Sequence, residues 1–318
     1  MAARMDSSLV LIDSFMAQSY PDCDQMLSRR HKSDGKEALR RAARCAMIPF
    51  FFSMERVLIP EDVRTEIMRR LAAAEAEHQV RILLAVESGS RAWGFASPNS
   101  DYDARFIYAH ETDWYLSVDL EEKRDVIEYP IVDDIDLNGW DVRKALRLFR
   151  KSNPAFVEWI QSPILYRSHG CFADGARALL PKVYNCENGI YHYRSMAKTN
   201  YRGYLKAEMV PLKKYFYVLR PLLAVRWLER YGSAAPIEFH KLLHLLEGEP
   251  ELLDAIAALL EKKKNAPELG LSAPVPCLNR FIEAELTRLE RPGVVRFQRS
   301  DANPELNQLF HAVLGEQR

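Results

Sequence analysis

The sequence predicts an α+β protein: a small mixed sheet with helices, followed by an all-α domain. Three observations predict it. Between residues 59 and 165, segments of strand period and of helix period follow one another. After about residue 165 only helical spacing remains. The 318 residues are enough for two domains of ordinary size, and 48% apolar with 28% charged residues leaves room for a sizeable core.

Each element follows from its residues. Residues 1–58 are unlike the rest: Arg29-Arg30-His31-Lys32, Lys36, Arg40, Arg41 and Arg44 sit on weak periodicity. They read as a poorly ordered N-terminal extension, or as a leader upstream of a true start at Met54, rather than a basic arm for nucleic acid. Pro60-Glu61-Asp62 opens a helix, with proline in the first turn and acids at the positive end. Val63, Ile67, Leu71 and Ala74 mark its apolar stripe. Residues 81–87 and 102–109 are strands, and 113–128 a surface excursion with a short helix. Residues 131–138 alternate apolar and acidic, a strand signature. A helix over 141–151 carries Val142, Ala145, Leu146 and Phe149 on one stripe until Asn153-Pro154 stops it, and a short helix runs through 156–160. Helical spacing then recurs near 188–207, 211–231, 237–246, 250–264 and 274–290, and the tail after 293 carries no signal. The expected division is 1–58, 59–165 and 166–318.

Lys plus Arg equals Asp plus Glu, 44 each, so the total charge does not indicate a strongly basic nucleic-acid binder. The five cysteines (Cys23, Cys45, Cys171, Cys186, Cys277) are odd in number and lack C-x-x-C spacing, which argues against a disulfide framework or a structural zinc. A reducing, cytoplasmic setting is expected. The run 47–52 is too short for a membrane span.

The chemistry concentrates between the first two strands. Gly89-Ser90 follows the apolar run 82–86, and Asp101 and Asp103 lie at alternate positions of the next strand. Gly89 permits backbone conformations barred to other residues. Ser90 could cap a helix whose free N–H groups bind phosphate. Two carboxylates about 6–7 Å apart on one strand face repel by on the order of 2–3 kcal/mol, and a divalent cation between them reverses the sign. Mg²⁺ prefers such hard oxygen ligands together with substrate phosphates. The strand 131–138 offers Asp134 and Asp136; Asp136 is the choice for a third ligand and for the group accepting a hydroxyl proton. Taken alone, Asp-x-Asp on a strand edge is usually just a solvated face.

The fuller pattern resembles a known family. Gly-Ser, ten residues, then Asp-x-Asp is similar to the nucleotidyltransferase superfamily that includes DNA polymerase β. Glu87-Ser88-Gly89-Ser90-Arg91-Ala92-Trp93-Gly94-Phe95 with Ser100-Asp101-Tyr102-Asp103 resembles more closely the YcgL/RlaP-type predicted nucleotidyltransferases, linked to RNA repair. The likeness continues through 136–146, Asn153-Pro154, Glu158-Trp159, Tyr191-His192-Tyr193 and 213–223, covering roughly residues 60–290. It implies a nucleotidyltransferase-type sheet with a helical domain closing a nucleotide cleft. It implies Asp101, Asp103 and Asp136 as metal-binding and catalytic and Gly89 and Ser90 as the phosphate pair; Arg91, Ser100, Lys213 and Lys214 are further nucleotide-binding candidates. It implies two Mg²⁺ ions, with Mn²⁺ as a substitute, a nucleoside triphosphate such as ATP, and RNA as a partner; no membrane is implied.

The expected reaction moves a nucleotidyl group onto an acceptor hydroxyl, with an RNA 3′ end first, a protein hydroxyl second and a small molecule third. A non-catalytic nucleotide sensor of the same fold is the alternative class. Lys213 and Lys214, neighbours about 100° apart on a helix, compete for the triphosphate, and both also read as solvated lysines at a helix start. Arg91 and Arg105 flank the acids, either as phosphate forks or, for Arg105, as their neutralising partner. His192, Tyr191 and Tyr193 are weak candidates for base contact, core packing being the simpler reading of the tyrosines. His240 and His244 have zinc spacing but no partner ligand. Trp93, Trp140 and Trp159 read as core.

Overall fold

The computed structural model describes residues 59–265, 270–290 and 301–316; the N-terminal extension lies outside them. Helix α1 (Glu61–His78) begins at Pro60, buries Ile67, Leu71 and Ala74, and ends on left-handed Gln79. It leads into β1 (Arg81–Glu87). A turn of helix, α2 (Gly89–Ala92), separates β1 from β2 (Tyr102–Ala109). After α3 (Thr112–Tyr115) come β3 (Val126–Glu128) and β4 (Ile135–Asp141). Helices α4 (Val142–Arg150) and α5 (Pro154–Gln161) precede β5 (Leu165–Ser168).

The five strands form one sheet in the order β3-β4-β2-β1-β5. Only β2 and β4 run parallel; the other pairs are antiparallel, so the sheet is mixed. Residues 82–86 of β1 are all apolar because both faces of the strand are covered. Ile82 and Ala85 join Ile67 and Leu71 of α1 on one side. Leu83, Leu84 and Val86 pack on the other with Val142, Phe149 and Phe156. Gly139 of β4 pairs with Phe106 of β2, and a Cβ there would overlap the phenyl ring.

The expected strand over 131–138 is shifted. Its first half is a tight turn in which Asp133 and Asp134 take φ of 54° and 58°, a conformation aspartate tolerates better than most residues. The apolar–acidic alternation runs on through that turn, which is why the sequence pattern does not mark it. β3 and β5, of three and four residues, lie at the sheet's edges and are too short for periodicity to reveal.

Asp141 caps α4: its carboxylate accepts the Arg143 N–H (2.8 Å) and the Tyr115 hydroxyl (2.6 Å). Burial pushes this carboxyl up to about 6. Between the ordinary aspartate range and that value the folded chain holds a proton the unfolded chain releases. Stability from this group therefore falls as pH rises through the window. Asn at 141 would still cap the helix. Relative to Asp141→Asn, wild type is expected to lose on the order of 2–3 kcal/mol of stability from pH 4 to pH 7. Urea denaturation of both proteins at the two pH values checks it.

The remainder is helical: α6 (Phe172–Val183), α7 (Cys186–Tyr204), α8 (Phe216–Tyr231), α9 (Pro250–Asn265) and α10 (Pro276–Glu290), with a small ribbon of β6 (Val210–Pro211) and β7 (Leu271–Ser272). α6 falls in a stretch the spacing leaves blank. Residues 212–215 and 239–246 are 3-10 rather than α-helical. The tail supplies α11 (Asn303–Gly315), whose Leu306, Leu309 and Val313 return to the sheet-side core with Val142 and Phe149. The chain after residue 166 thus does not stay within the helical half. Among the described residues no helix is long and apolar enough to cross a membrane, and Cys171, Cys186 and Cys277 are free thiols.

Candidate active site

The parallel pairing of β2 with β4 sets Asp103 directly beside Asp136. Arg105, two residues along β2, bridges them: its Nη2 lies 3.1 Å from Asp103 Oδ1 and 2.6 Å from Asp136 Oδ2. Its Nη1 also donates to the Asp136 carbonyl at 2.7 Å, and Asn138 Nδ2 donates to Asp136 Oδ1 at 2.5 Å. Burial raises the Asp103 carboxyl above its ordinary range, with Asp136 and Asp101 adding like-charge repulsion against the pull of Arg105. Arg105 thus stands as the charge partner of both acids. Asp101 is exposed just before β2, close enough to Asp103 to be felt by it. Asp134 contributes its carbonyl to the Tyr102 N–H (2.7 Å) from the turn ahead of β4.

The Gly-Ser segment lies against the same carboxylate. Gly89 has φ +57°, and a Cβ on it would overlap the Asp103 side chain. Ser88 N–H donates to the Asp103 carbonyl at 2.9 Å. The cap of α2 is Ser88, not Ser90; Ser90 is inside the turn and buried. The expectation of Ser90 as a helix cap is therefore corrected: the turn starts at Gly89, two residues earlier than a cap at Ser90 would place it. Gly89→Ala is expected to cost about 1–3 kcal/mol from backbone strain alone, with the carboxylate displaced as well; denaturant unfolding of the variant measures it.

Glu87, absent from the sequence-based site, lies beneath Asp103. It is fully buried, accepts the Asp103 N–H (3.0 Å) and the Tyr166 hydroxyl (2.6 Å), and burial pushes it up to about 7. Its signal in the sequence was a carboxylate closing an otherwise apolar strand.

Two nucleotide-binding candidates are engaged in holding the loop before β2. Arg91 is buried, donates to the carbonyls of Ser100 (2.6 Å) and Asp101 (3.3 Å), and lies 3.9 Å over the Tyr102 ring. Ser100 Oγ accepts the Ser97 N–H at 2.9 Å. In this arrangement Arg91 is a strut for the Asp101 backbone rather than an open phosphate fork.

The helical half faces this centre through the start of α8. Tyr217 lies close enough to Asp103 and Asp101 that they add to the effect of burial in raising its hydroxyl. Lys214 Nζ packs over the rings of Tyr204 (4.0 Å) and Tyr217 (4.8 Å), whereas Lys213 is exposed on the neighbouring side of the 3-10 turn. Lys263 of α9 is buried over the Phe95 ring at 4.7 Å, near Lys213 and Arg91. Neither Tyr217 nor Lys263 was singled out from the sequence, and Lys263 lies there within the run Lys262-Lys263-Lys264.

The weaker candidates resolve simply. Tyr193 is buried, Tyr191 is 65% exposed, and His192 lies between these extremes. His244 bonds the Tyr231 hydroxyl at 2.8 Å. Trp140 stacks on Trp159 at 3.9 Å. Trp93 links the two halves: its Nε1 donates to Glu158 (3.0 Å), and Arg220 of α8 binds that carboxylate at 2.7 Å.

Among the described residues no three His, Cys, Asp or Glu side chains are gathered into a ready ligand set. The donor chemistry nevertheless fits a hard cation. One guanidinium nitrogen already sits within bonding distance of oxygens from both Asp103 and Asp136, so the pair accepts a bridging positive charge, and Asp101 is the next carboxylate at hand.

The uncharacterized protein YcgL of Bacillus subtilis (strain 168) is 44% identical over 249 residues, which is 78% of this chain and 95% of that protein. The pattern of the family described as RlaP, the RNA repair pathway DNA polymerase beta family, matches residues 63–312. That match runs from α1 to α11 and takes in the mixed sheet, the Gly-Ser turn and all three aspartates, and on it the chain belongs to the RlaP family of polymerase beta-like proteins.

Proposed function

We propose that the protein is a metal-dependent nucleotidyltransferase that moves a nucleoside monophosphate from a nucleoside triphosphate to an acceptor hydroxyl, releasing pyrophosphate. We take an RNA 3′ end as the first acceptor to test, in keeping with a family described as part of an RNA repair pathway. The observation that carries the reading is the in-register pair Asp103–Asp136 around one positive charge, with the Gly89 turn packed against Asp103.

Asp103, Asp136 and Asp101 would hold Mg²⁺, or Mn²⁺ in its place. The ions would supply charge neutralisation at the phosphate and a lowered pKa for the attacking hydroxyl. The rest is done by the chain. Gly89 and Ser90 offer first-turn N–H groups, which have no carbonyl of their own turn to bind, to a phosphate beside Asp103. Asp136 accepts the hydroxyl proton. Asn138 and the strand pairing orient Asp136. Glu87 pins the Asp103 backbone. Lys213 approaches from the helical side.

The test is incubation with each α-labelled NTP and Mg²⁺, with RNA or with cell lysate. Label moving to RNA 3′ ends is the expected result. Label on protein alone would turn the reading towards a protein-modifying enzyme. No transfer to any acceptor would overturn it.

A further inference from the structure

Helix α4 gathers charge of one sign. Residues 142–152 contain Arg143, Lys144, Arg147, Arg150 and Lys151 and no acid, in a chain whose total charge is zero. Arg143, Arg147 and Arg150 fall on one side of the helix, at offsets of four and seven residues. They form one wall of a groove of about 370 Å³, and α11 forms the other with Asn303, Leu306 and Phe310. Among the described residues no acidic side chain lines this groove. Arg143 pairs with Glu121 outside it at 2.7 Å, Arg150 donates to the Asn303 amide oxygen at 3.1 Å, and Arg147 acts on Glu121 only through space.

The kind of partner follows from what the groove lacks. Its floor is already closed: Leu146 and Leu306 are 6% and 5% exposed, and Phe310 packs edge-on against Tyr115. An amphipathic helix would find little apolar surface to bury there, so charge is what the groove offers. A guanidinium meets a phosphate as a planar fork. The three arginines span about 10.5 Å at the helical rise per residue, a length over which a nucleic-acid strand carries about three phosphates. The groove shares no lining residue with the acidic centre. It starts beyond the opposite end of β4, about 16 Å of strand from Asp136.

We propose that the groove between α4 and α11 is a docking site for the sugar–phosphate backbone of an RNA strand, with Arg147 and Arg150 as its phosphate contacts. That the strand is the acceptor of the transfer reaction rests on the nucleotidyl-transfer reading; the affinity for backbone rests on arginines that face no acid. Phosphate contacts position a strand without reading its sequence. The site thus holds the body of an RNA whatever its sequence, which suits an acidic centre that needs only the terminal hydroxyl.

The test measures binding of a fluorescein-labelled single-stranded RNA to the full chain by anisotropy over a series of salt concentrations. Arg147→Gln/Arg150→Gln is the variant, and Arg69→Gln/Arg280→Gln, which changes two exposed arginines on α1 and α10, is a control of equal charge change. Wild type and control are expected to bind within twofold of each other, and the variant at least tenfold more weakly. The variant's plot of log affinity against log salt should be flatter by about 1 to 1.5, two contacts at about 0.7 each. Arg147→Lys/Arg150→Lys should recover most of the affinity. All these proteins should melt together, since the changed arginines are exposed. Equal affinity of variant and wild type, equal losses in variant and control, or no binding by wild type overturns the site. Loss of binding with a lowered melting temperature in both the Gln and the Lys variants assigns the arginines to folding and also overturns it. So does displacement of the RNA by an acidic amphipathic peptide of equal charge, which gives the groove to a protein partner. On the transfer reading, the variant should need at least tenfold more RNA for half-maximal labelling at an unchanged maximal rate. Arginine-dependent RNA binding without transfer of label to any acceptor defeats the transfer reading and leaves the site standing.

Discussion

Asp103→Asn is expected to fold normally and to lose nucleotidyl transfer by about 10³-fold or more, equivalent to about 4 kcal/mol of barrier. The two halves of that expectation come from the same surroundings. Asp103 is crowded by Asp136 and Asp101 and only partly relieved by Arg105. Removing its charge removes repulsion, so stability should stay within about 1 kcal/mol of wild type, while Arg105 keeps its 2.6 Å bond to Asp136. The backbone bond from Asp103 N–H to Glu87 does not involve the side chain that changes. Transfer, in contrast, needs a carboxylate that can exchange the guanidinium for a metal ion, and an amide does this poorly. Asp101→Asn should lose turnover for the same reason. Labelled-nucleotide turnover with denaturant unfolding on the same preparations separates the effects. Near-wild-type turnover in Asp103→Asn would contradict the assignment of this centre.

Much of this was legible in the sequence because it depends on local rules. The apolar run of β1, the alternation in β2 and the Asn153-Pro154 stop each encode structure within a few residues, and the helices of the second half follow a 3.6-residue period. Asp103 and Asp136 were named from the two Asp-x-Asp patterns and the family resemblance, although the first aspartate of each pattern, Asp101 and Asp134, lies outside the strand. What was hidden depends on partners distant in sequence. Arg105 bridges Asp103 to a residue 31 positions away. Lys263 meets Phe95 across most of the chain. Glu87 shows as a charge at a strand end, but its role comes from Tyr166, 79 residues on. The position of Asp134 was misread because positive-φ aspartates in a tight turn preserve the alternation of the strand that follows.

Arg220→Met should be the most damaging substitution outside the acidic centre, costing about 3–5 kcal/mol of stability. Arg220 and Glu158 are 2% and 6% exposed, so their pairing is not screened as a surface pair would be. Methionine fills most of the arginine's volume but leaves the Glu158 carboxylate buried beside the Trp93 indole N–H without its counter-charge. It also releases the Ile237 carbonyl, which Arg220 Nε binds at 3.1 Å. Arg220→Met with Glu158→Gln removes the orphaned charge, and should recover more than half of the loss. A double-mutant cycle then reads the coupling directly. The consequence for function follows from Trp93, which ties this pair to the segment just after the Gly-Ser turn. If the pair only holds the two halves together, the double variant regains stability and turnover in step. If it also aims the turn at Asp103, the double variant regains stability while turnover stays low, because neutral Gln holds the Trp93 indole less firmly than a carboxylate does. We expect the second pattern, since the Trp93–Glu158 bond is the direct link from the turn's own segment to the buried pair.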